Sequence, residues 1–364
     1  MKANYVILAA LGVFAMTAVS CKIDNSYDLS KTEAAVEVPI EQEPVEVPSD
    51  DLMDFNSSEA VEEDSEGNLQ ITVMAEGSAT ITANLKEGVA IEIPGELEMT
   101  TSKEDIPDFC AAESGAVFSD ARLILDFSNP SPTPVVFKGK VSSGNKKAQM
   151  PDLVVPANKT SYKIALETRH NENLRYEEEY TANDYIVINE SVAEVINRIS
   201  AEDPIVVSDL TVELMNTRAA APAEEEEYEF SVGALLHVPL WFPAGTVIKY
   251  DIDYSGELID VSKYNVTVND YQIVADVTNT IPFEISGYGT STNGVRADLD
   301  TPVKPGDIDN PVKTHVLIHI KSSAEVLNLE GAVLHVTMKT DKDVRINKNQ
   351  KLDIDMKSIK FSKQ

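Results

Sequence analysis

The sequence predicts a mainly β protein made of two tandem antiparallel β-sandwich domains, with one short helix in the first domain. Three observations support this fold class. Apolar and polar residues alternate along most of the chain, which is typical of strands with one buried face. Gly and Pro divide these runs into short segments, and one strand phrase occurs twice. Long helical periodicity is almost absent.

The repeated phrase is "LILDFSNPSPTPVVFKG" at Leu123–Gly139 and "IVADVTNTIPFEISG" at Ile273–Gly287. In both copies alternation runs to an Asn, Asn129 or Asn279, and restarts after a Pro. Pro cannot donate to a strand ladder, so it is expected at the restart or on an edge. The Asn side chain is expected to bond to nearby backbone and hold the turn.

Two further landmarks recur in the same order around this phrase. A Gly-Glu-Leu triplet ends at Leu97 and again at Leu258, and a Ser-Ala-Glu strand segment occupies Ser200–Leu214 and again Ser323–Met338. The order predicts a tandem duplication in which each copy is an immunoglobulin-like (Ig-like) sandwich of about 100–150 residues.

The domain boundaries follow from composition. The stretch "NTRAAAPAEEEEY" is rich in Ala, Pro and Glu and lacks alternation, which is typical of a domain boundary. The predicted organisation is a lipoprotein signal peptide (1–20), a tether (21–35), a first sandwich (36–218), an acidic linker (219–225) and a second sandwich (226–364).

One segment has helical spacing. "INESVAEVINRIS" at Ile188–Ser200 offers Asn189 as an N-cap, and its apolar residues share one face of a helix. We expect a short amphipathic helix that lies on a sheet or closes one end of it.

The N-terminus, "MKANYVILAALGVFAMTAVSC", has an early Lys and an apolar run from Tyr5 to Val19. The run is short for a membrane span and fits a secretory signal region. The last four residues resemble the lipobox of bacterial lipoproteins, which implies cleavage before Cys21 and acylation of Cys21 with lipid such as palmitate. The alternative is an ordinary secreted protein in which Cys21 has no role.

The net charge of the chain limits the classes of partner that it can bind. The 364 residues carry a net charge of −31, which repels phosphate backbones and anionic head groups, so we expect no nucleic acid partner and no broad peripheral membrane contact. Lipid on Cys21 would hold the protein at the membrane instead. With Cys21 committed to lipid, Cys110 has no intramolecular partner, so no disulfide framework and no zinc-ligand spacing can be built.

The search for catalytic motifs is negative, and the sequence predicts no catalytic residues, no metal and no cofactor. His315 and His319 lie on one strand face about 13 Å apart, too far to share a metal. His335 is the candidate to pair with one of them across a strand. Cys110 is interpreted as a small buried residue rather than a nucleophile, and Trp241 as a core or interdomain contact rather than a ligand platform.

One loop is a candidate for partner binding. The segment Glu167–Asp184 is the large asymmetry between the two copies, and Arg169, Arg175, Glu177 and Glu178 give it dense charge. Loops on a rigid sandwich often carry recognition. The alternative is a solvated insertion without function.

Two resemblances to known families are present. Over about 17 residues per copy, the Asn-Pro phrase resembles late-embryogenesis-abundant-like sandwiches. The segments "SCKIDNSYDLSK", "SDDLMDF" and "DSEGNLQI" resemble an uncharacterised lipoprotein family of the Bacteroidetes, in which Lys and acidic residues after the lipidated Cys resemble an export signal to the cell surface. Lys22 and Asp24 match this pattern in part. The resemblance implies a location and a fold class, without an activity.

The sequence therefore predicts a non-enzymatic lipid-anchored protein of the bacterial envelope, exposed at the outer membrane, that acts in adhesion, as a scaffold or as an accessory component. Its partners would be the membrane, through lipid on Cys21, and a protein or a glycan. The alternative is a binding protein for a soluble glycan or peptide that uses loops of the first domain. An enzyme ranks third.

Overall fold

The fold was obtained as a computed structural model, which describes residues 36–39, 43–53, 55, 60–100, 106–168, 180–200, 202–215, 226–254, 270–292, 294–321 and 332–361. Most of these residues lie in antiparallel strands, and helix α2, defined below, is the longest helix among them. The predicted mainly β class is confirmed.

In chain order the elements are β1 (Val36–Pro39), β2 (Val45–Pro48), α1 (Ser49–Leu52), β3 (Val61–Glu63), β4 (Leu69–Met74), β5 (Ala79–Ala83), β6 (Ile91–Glu92), β7 (Leu97–Met99), a 3-10 turn (Ala112–Ser114), β8 (Arg122–Asn129), β9 (Val135–Ser143), β10 (Lys146–Gln149), β11 (Leu153–Val155), β12 (Lys159–Glu167), β13 (Asp184–Val187), α2 (Glu190–Ile196), β14 (Ile205–Leu214), β15 (Tyr228–Pro239), β16 (Trp241–Phe242), β17 (Val247–Tyr254), β18 (Asp270–Asn279), β19 (Glu284–Thr290), β20 (Arg296–Leu299), β21 (Val312–Lys321), β22 (Ala332–Lys339), β23 (Val344–Arg345) and β24 (Lys351–Phe361).

The chain divides into two compact units. One, the inserted unit, is the continuous stretch Ser57–Pro243. The other, the discontinuous unit, combines Met1–Asn56 with Ala244–Gln364. The first strands of the chain therefore belong with its last strands, and a complete unit lies between them in sequence.

The inserted unit is a sandwich of two sheets. A seven-stranded sheet has the order β13-β12-β8-β15-β4-β3, with β5 also on β15, and a six-stranded sheet has the order β10-β9-β14-β6, with β11 on β9 and β7 on β14. Phe127 of the first sheet packs on Phe137 of the second, with ring centroids 4.6 Å apart. Because side chains alternate along a strand, Leu123, Leu125 and Phe127 share this inner face and are fully buried.

The discontinuous unit contains one hydrogen-bonded network of nine strands. Its order is β1-β24-β18-β21-β20-β19-β22-β17, with β2 also on β24. β20 pairs with both β19 and β21, so it joins two halves that would otherwise be separate sheets.

The two units repeat one strand order. β8 lies between β12 and β15, as β18 lies between β21 and β24, and β9 pairs with β14 as β19 pairs with β22. One long strand near the end of each unit, β15 or β24, also pairs with two short strands. β4 and β5 pair with the end and the start of β15, and β1 and β2 pair with the end and the start of β24. The repeated phrase thus occupies equivalent positions in both units.

The division into units differs from the predicted boundaries of 36–218 and 226–364. β1 and β2 were assigned to the first domain, yet they pair with β24. β15 was assigned to the second domain, yet it pairs with β8 in the inserted unit. The expected linker 219–225 lies outside the described residues and connects β14 to β15, two strands of the same unit. Alternation identifies a strand but carries no information about a partner that is distant in sequence.

The predicted helix is confirmed as α2. The side-chain Oδ1 of Asn189 accepts a hydrogen bond from the backbone N–H of Val192 at 3.0 Å, which caps the first turn. Val192, Val195 and Ile196 are buried, and the helix packs on β9 and β10. It therefore lies on the six-stranded sheet, as its amphipathic spacing predicts.

Candidate functional site

A row of buried polar side chains crosses the outer face of the seven-stranded sheet, the face turned away from the sandwich core. Arg122 of β8 lies directly opposite Glu167 of β12 on one side and His237 of β15 on the other. Gln70 on β4 extends the row. These four residues, the polar row, are each at most 4% exposed. Buried ionisable groups on the outer face of a sandwich need specific partners, because desolvation without partners is costly.

The row is held by a buried ion pair. Arg122 Nε donates to Glu167 Oε2 at 2.9 Å, and both side chains are almost fully inaccessible. Arg122 Nη1 also donates to the backbone carbonyl of Tyr180 at 3.4 Å, and the guanidinium lies 5.4 Å from the centre of the Tyr185 ring. The charge of Arg122 is thus balanced by the Glu167 carboxylate and also contacts the backbone and the ring that cover it.

His237 continues the network on the other side of Arg122. Its Nε2 is 2.9 Å from Gln70 Oε1, and its ring stacks on Tyr180 with centroids 4.2 Å apart. The Tyr180 hydroxyl donates to Glu62 Oε2 at 3.0 Å and accepts from Thr72 Oγ1 at 3.2 Å. Tyr180 therefore bridges three strands of the sheet from above.

The residues that cover the row form one segment, 180–187, which we call the cover segment. It ends in β13, which runs parallel to β12 from Asp184 to Val187. Tyr180 and Ala182 also bury Ile124 and Ala165 of the underlying strands. The polar row and this apolar contact together fix the cover segment on the sheet.

The predicted partner-binding loop is joined to this cluster at both ends. Glu167 was expected to begin the loop, but it is the last residue of β12 and is buried. Asp184 begins β13 instead of ending a free loop. The candidate residues Arg169, Arg175, Glu177 and Glu178 lie outside the described residues.

The predicted lipidation site, Cys21, also lies outside the described residues. In the part of the chain that the structure describes, no helix is both long enough and apolar enough to cross a membrane.

Two histidines of the discontinuous unit, His315 and His335, each lie beside a carboxylate. His315 Nδ1 lies 2.9 Å from Asp276 Oδ1, and His335 Nδ1 lies 2.7 Å from Asp251 Oδ1. The candidate cross-strand pairing of His335 with either His315 or His319 is wrong, because β22 neighbours β17 and β19 and not β21. Tyr288 on β19 packs against the His335 ring at 4.4 Å.

Cys110 and Trp241 both lie in the inserted unit. Cys110 is fully buried, as expected, and burial raises the pKa of its thiol, which keeps it from acting as a nucleophile. Trp241 is half-buried, and its neighbour Phe242 packs on Phe109 and Phe118 in the core of the inserted unit. Within the described ranges, no group of three or more His, Cys, Asp or Glu side chains is arranged to hold a metal ion.

Sequence reasoning missed the polar row, although one signal was present. In "SDARLILDF" the charged Arg122 and Asp126 fall on the same alternating face as Ile124, which marks that face as partly covered rather than fully solvated. The partners Glu167, Tyr180 and His237 are 45, 58 and 115 residues away along the chain, and no local pattern connects them.

Comparison with known proteins yields a fold and no family. No known protein family and no curated protein matches the chain. A crystal structure of a protein from Parabacteroides distasonis, inferred to be secreted, is similar over 91% of this chain and 100% of that one, with a TM-score of 0.52 and 15% identity. Infectious bursal disease virus structures and a tandem carbohydrate-binding module of Paenibacillus barcinonensis Xyn10C reach TM-scores of only 0.22 and 0.16. The Parabacteroides structure therefore shares the fold.

Proposed function

We propose that this chain is a lipid-anchored envelope protein that presents two β-sandwich units outside the cytoplasmic membrane and acts by binding rather than by catalysis. The observation that carries the proposal is the N-terminal segment that ends Ala18-Val19-Ser20-Cys21, where a short apolar run is followed by small residues and a Cys. Acyl chains on Cys21 would supply the hydrocarbon burial that holds an acidic protein at a membrane.

The structural order along the chain supports this arrangement. The first described strand begins at Val36, fifteen residues after Cys21. A segment of that length reaches at most about 50 Å when extended. The folded units could thus stand clear of the membrane surface, where an acidic protein is repelled by anionic lipids. The similar protein from Parabacteroides distasonis is itself inferred to be secreted, which is consistent with export.

The binding role is supported by how the chain uses its reactive groups. Arg122 and Glu167 bind each other, Cys110 is buried with a raised thiol pKa, and His315 and His335 are bonded to neighbouring carboxylates. In the described part of the chain, these ionisable and nucleophilic side chains therefore contribute to the stability of the fold.

The anchor is tested by replacing Cys21. Cells that express the full-length chain are fed an alkyne fatty acid, and the wild type should be labelled and found in the membrane fraction. Cys21→Ser should lose the label and remain uncleaved or leave the membrane fraction. Cys110→Ser is the matched control and should keep the label. Equal labelling of the wild type and the Cys21→Ser variant would refute the anchor.

Display at the surface is tested separately. Protease added to intact cells should degrade the protein if it faces outward, while a periplasmic marker stays intact. Protection in intact cells with degradation after outer-membrane permeabilisation would place the protein on the inner side and would contradict surface display without affecting the anchor.

A second candidate function, binding of a soluble glycan or peptide by loops of the inserted unit, is favoured by one observation. The cover segment fixes the chain on the far side of residues 168–179, and buried Glu167 fixes it on the near side. The described residues on either side of 169–179 are therefore held in the inserted unit, so these flanking residues need no ordering when that stretch binds a partner.

This candidate is tested with Arg169→Ala/Arg175→Ala and, as a control for charge, Lys138→Ala/Lys140→Ala on the six-stranded sheet. Partner capture is measured after cross-linking on cells, with circular dichroism as the folding check. Capture lost only in the first variant supports the loop. Full capture by a folded first variant removes the loop from consideration.

A further inference from the structure

The strands β1 and β2 have the same sequence, Val-Glu-Val-Pro, at Val36–Pro39 and Val45–Pro48. Both pair antiparallel with β24, and nothing else in the described part of the sheet pairs with β1. One strand of the discontinuous unit thus binds the same tetrapeptide twice.

The two docking segments of β24 are chemically alike. The first β24 segment places Leu352 and Ile354 opposite the Val residues of β2. The second places Ile359 and Phe361 opposite the Val residues of β1. Each segment thus has two apolar residues, two positions apart in sequence, in register with the two Val positions of the motif.

Each docking segment also recognises the Glu of the motif. Glu46 of β2 accepts a hydrogen bond from Lys351 Nζ. Glu37 of β1 accepts from Ser358 Oγ at 2.5 Å and lies 3.8 Å from Lys360 Nζ. Charge and side-chain pattern therefore match the same motif at both places, so β24 can bind a Val-Glu-Val-Pro strand whichever chain supplies it.

β2 is fixed to its own unit by its buried side chain and by the residues directly after it. Val47 is fully buried, the backbone N–H of Ser49 donates to the carbonyl of Gln350 at 2.8 Å, and the Tyr250 hydroxyl donates to the carbonyl of Leu52 at 3.0 Å. These bonds continue the attachment of β2 through α1 into the core. β2 cannot leave without unfolding part of the unit.

β1 is attached much more lightly. It has four ladder residues, as β2 has, but its Pro39 is exposed, whereas Pro48 of β2 is half-buried and leads directly into α1. Its counterpart in the inserted unit, β4, has six residues and is paired on both sides, with β15 and with β3. A short edge strand breaks few ladder bonds when it leaves, and the edge that it uncovers on β24 is a row of unpaired backbone groups with which an identical strand can pair.

We propose that β1 exchanges between copies of this chain, so that Val36–Pro39 of one molecule docks on Ser358–Phe361 of another. The exchanged strand makes the same ladder and the same Glu37 contacts as in its own molecule. The balance between the closed monomer and the exchanged assembly is then set by concentration, since the contacts are equal and only the linkage differs. The partner is a second copy, and the docking mode is strand addition. Lipid on Cys21 is not required.

The test uses cysteine pairs across the ladder in the full chain carrying Cys21→Ser. Glu37 and Lys360 are opposite each other, and so are Glu46 and Asp353. Opposed residues of antiparallel strands have Cα atoms about 4.5–5.5 Å apart, within the range that a disulfide spans. Copies with Glu37→Cys are mixed with differently tagged copies with Lys360→Cys under a glutathione buffer. The matched control mixes Glu46→Cys with Asp353→Cys.

We expect the β1 mixture to yield at least about fivefold more disulfide-linked heterodimer than the β2 mixture, with a yield that rises with concentration. Excess peptide Ala-Val-Glu-Val-Pro-Ile should lower that yield, whereas a peptide of the same residues in scrambled order should have little effect. The double variant Glu37→Cys/Lys360→Cys should close within one copy at low concentration.

The proposal is overturned if the double variant closes internally while the β1 mixture gives no more heterodimer than the β2 mixture. It is equally overturned if the double variant fails to close under conditions in which Glu46→Cys/Asp353→Cys closes, because β1 would then not pair with β24 in solution.

Discussion

Asn129 and Asn279 share three equivalent hydrogen bonds at the ends of equivalent strands in the two units. Each side chain is fully buried. Each Nδ2 donates to the carbonyl four residues later, at 3.0 and 3.2 Å, and each Oδ1 accepts from the N–H two residues later, at 3.2 and 2.7 Å. Each Nδ2 also donates to a backbone carbonyl in a second connecting segment, Pro156 for Asn129 and Lys304 for Asn279. The repeated Asn is therefore a buried clamp between two turns.

Replacing the clamp should be strongly destabilising. Asn279→Ala leaves buried carbonyl and N–H groups without partners, and we expect the free energy of unfolding to fall by about 2–4 kcal/mol. Asn129→Ala should act similarly on the inserted unit. Thr278→Ala, one residue away on a half-buried position, is the control and should cost less than about 1 kcal/mol. Chemical denaturation measures the free energy of unfolding of all three variants. A smaller loss for Asn279→Ala than for the control Thr278→Ala would contradict the clamp.

The Gly residues that end the two repeated phrases, Gly139 and Gly287, should differ in how well they tolerate replacement by Ala. A Cβ on Gly287 would lie 2.4 Å from the backbone oxygen of His335, which cannot yield, so Gly287→Ala should cost about 2–3 kcal/mol. A Cβ on Gly139 would first meet the flexible end of Met150 at 2.8 Å, so Gly139→Ala should cost about 1 kcal/mol. Gly233→Ala is the control, because its nearest neighbour lies 4.0 Å away. Thermal unfolding tests this order, and equal losses would refute it.

The Arg122–Glu167 pair should be much more sensitive than a surface pair. Glu167→Ala leaves a buried guanidinium without its carboxylate and should cost about 3–5 kcal/mol. Arg122→Met combined with Glu167→Leu should cost less than the single change, because neither charge of the pair is then left buried without the other. Lys140→Ala removes the exposed pair with Asp209 and should change the free energy of unfolding by less than about 1 kcal/mol. A double variant less stable than Glu167→Ala would contradict this account.

Protonation of Asp276 should contribute to the loss of folding stability at low pH. The hydrogen bond from Lys313, followed by that from His315, holds the pKa of this carboxyl below its ordinary value of 3.8. A lowered folded-state pKa contributes stability above 3.8 that is lost as the pH falls through the folded-state pKa. Asp276→Asn should therefore be less stable at pH 7, by less than about 1 kcal/mol because both partners are exposed, and the difference should vanish at the lowest pH.

A double-mutant cycle checks the cause of that shift. Lys313→Met alone should reproduce part of the loss at pH 7, and the combined variant should lose less than the sum of the two single variants. Additive losses, or a difference between the wild type and Asp276→Asn that does not depend on pH, would show that the carboxylate has no such pairing in solution.

The Cys110 thiol should react only in the unfolded chain. Burial raises its pKa, so little thiolate forms, and the side chain is inaccessible. In the Cys21→Ser background, a thiol reagent should modify less than one thiol per chain in native buffer and one in denaturant. Cys110→Ala should cost about 1 kcal/mol as a small buried deletion. Rapid native modification would contradict the burial of Cys110.

Sequence alone determined the features whose causes are local. Alternation fixed the strand character of the chain, the Asn before a turn predicted the clamp at Asn129 and Asn279, and Asn189 with its apolar face predicted α2. The Asn189 cap and the bonds that Asn129 and Asn279 make within their own turns join groups a few residues apart, so the local pattern contains both partners. The bonds from Asn129 to Pro156 and from Asn279 to Lys304 join distant segments and could not be predicted in this way. The signal segment and lipid on Cys21 remain predictions of the same local kind.

Tertiary structure alone decided which strands belong together. The sequence assigns the Val-Glu-Val-Pro strands to the first domain. In the structure both strands pair with β24, about 300 residues away in sequence. The polar row likewise joins Arg122 to Glu167 and His237 through neighbouring strands. Side-chain alternation has a period of two and records which face of a strand is buried. It does not record the neighbour, because ladder bonds are made by backbone groups that every residue shares.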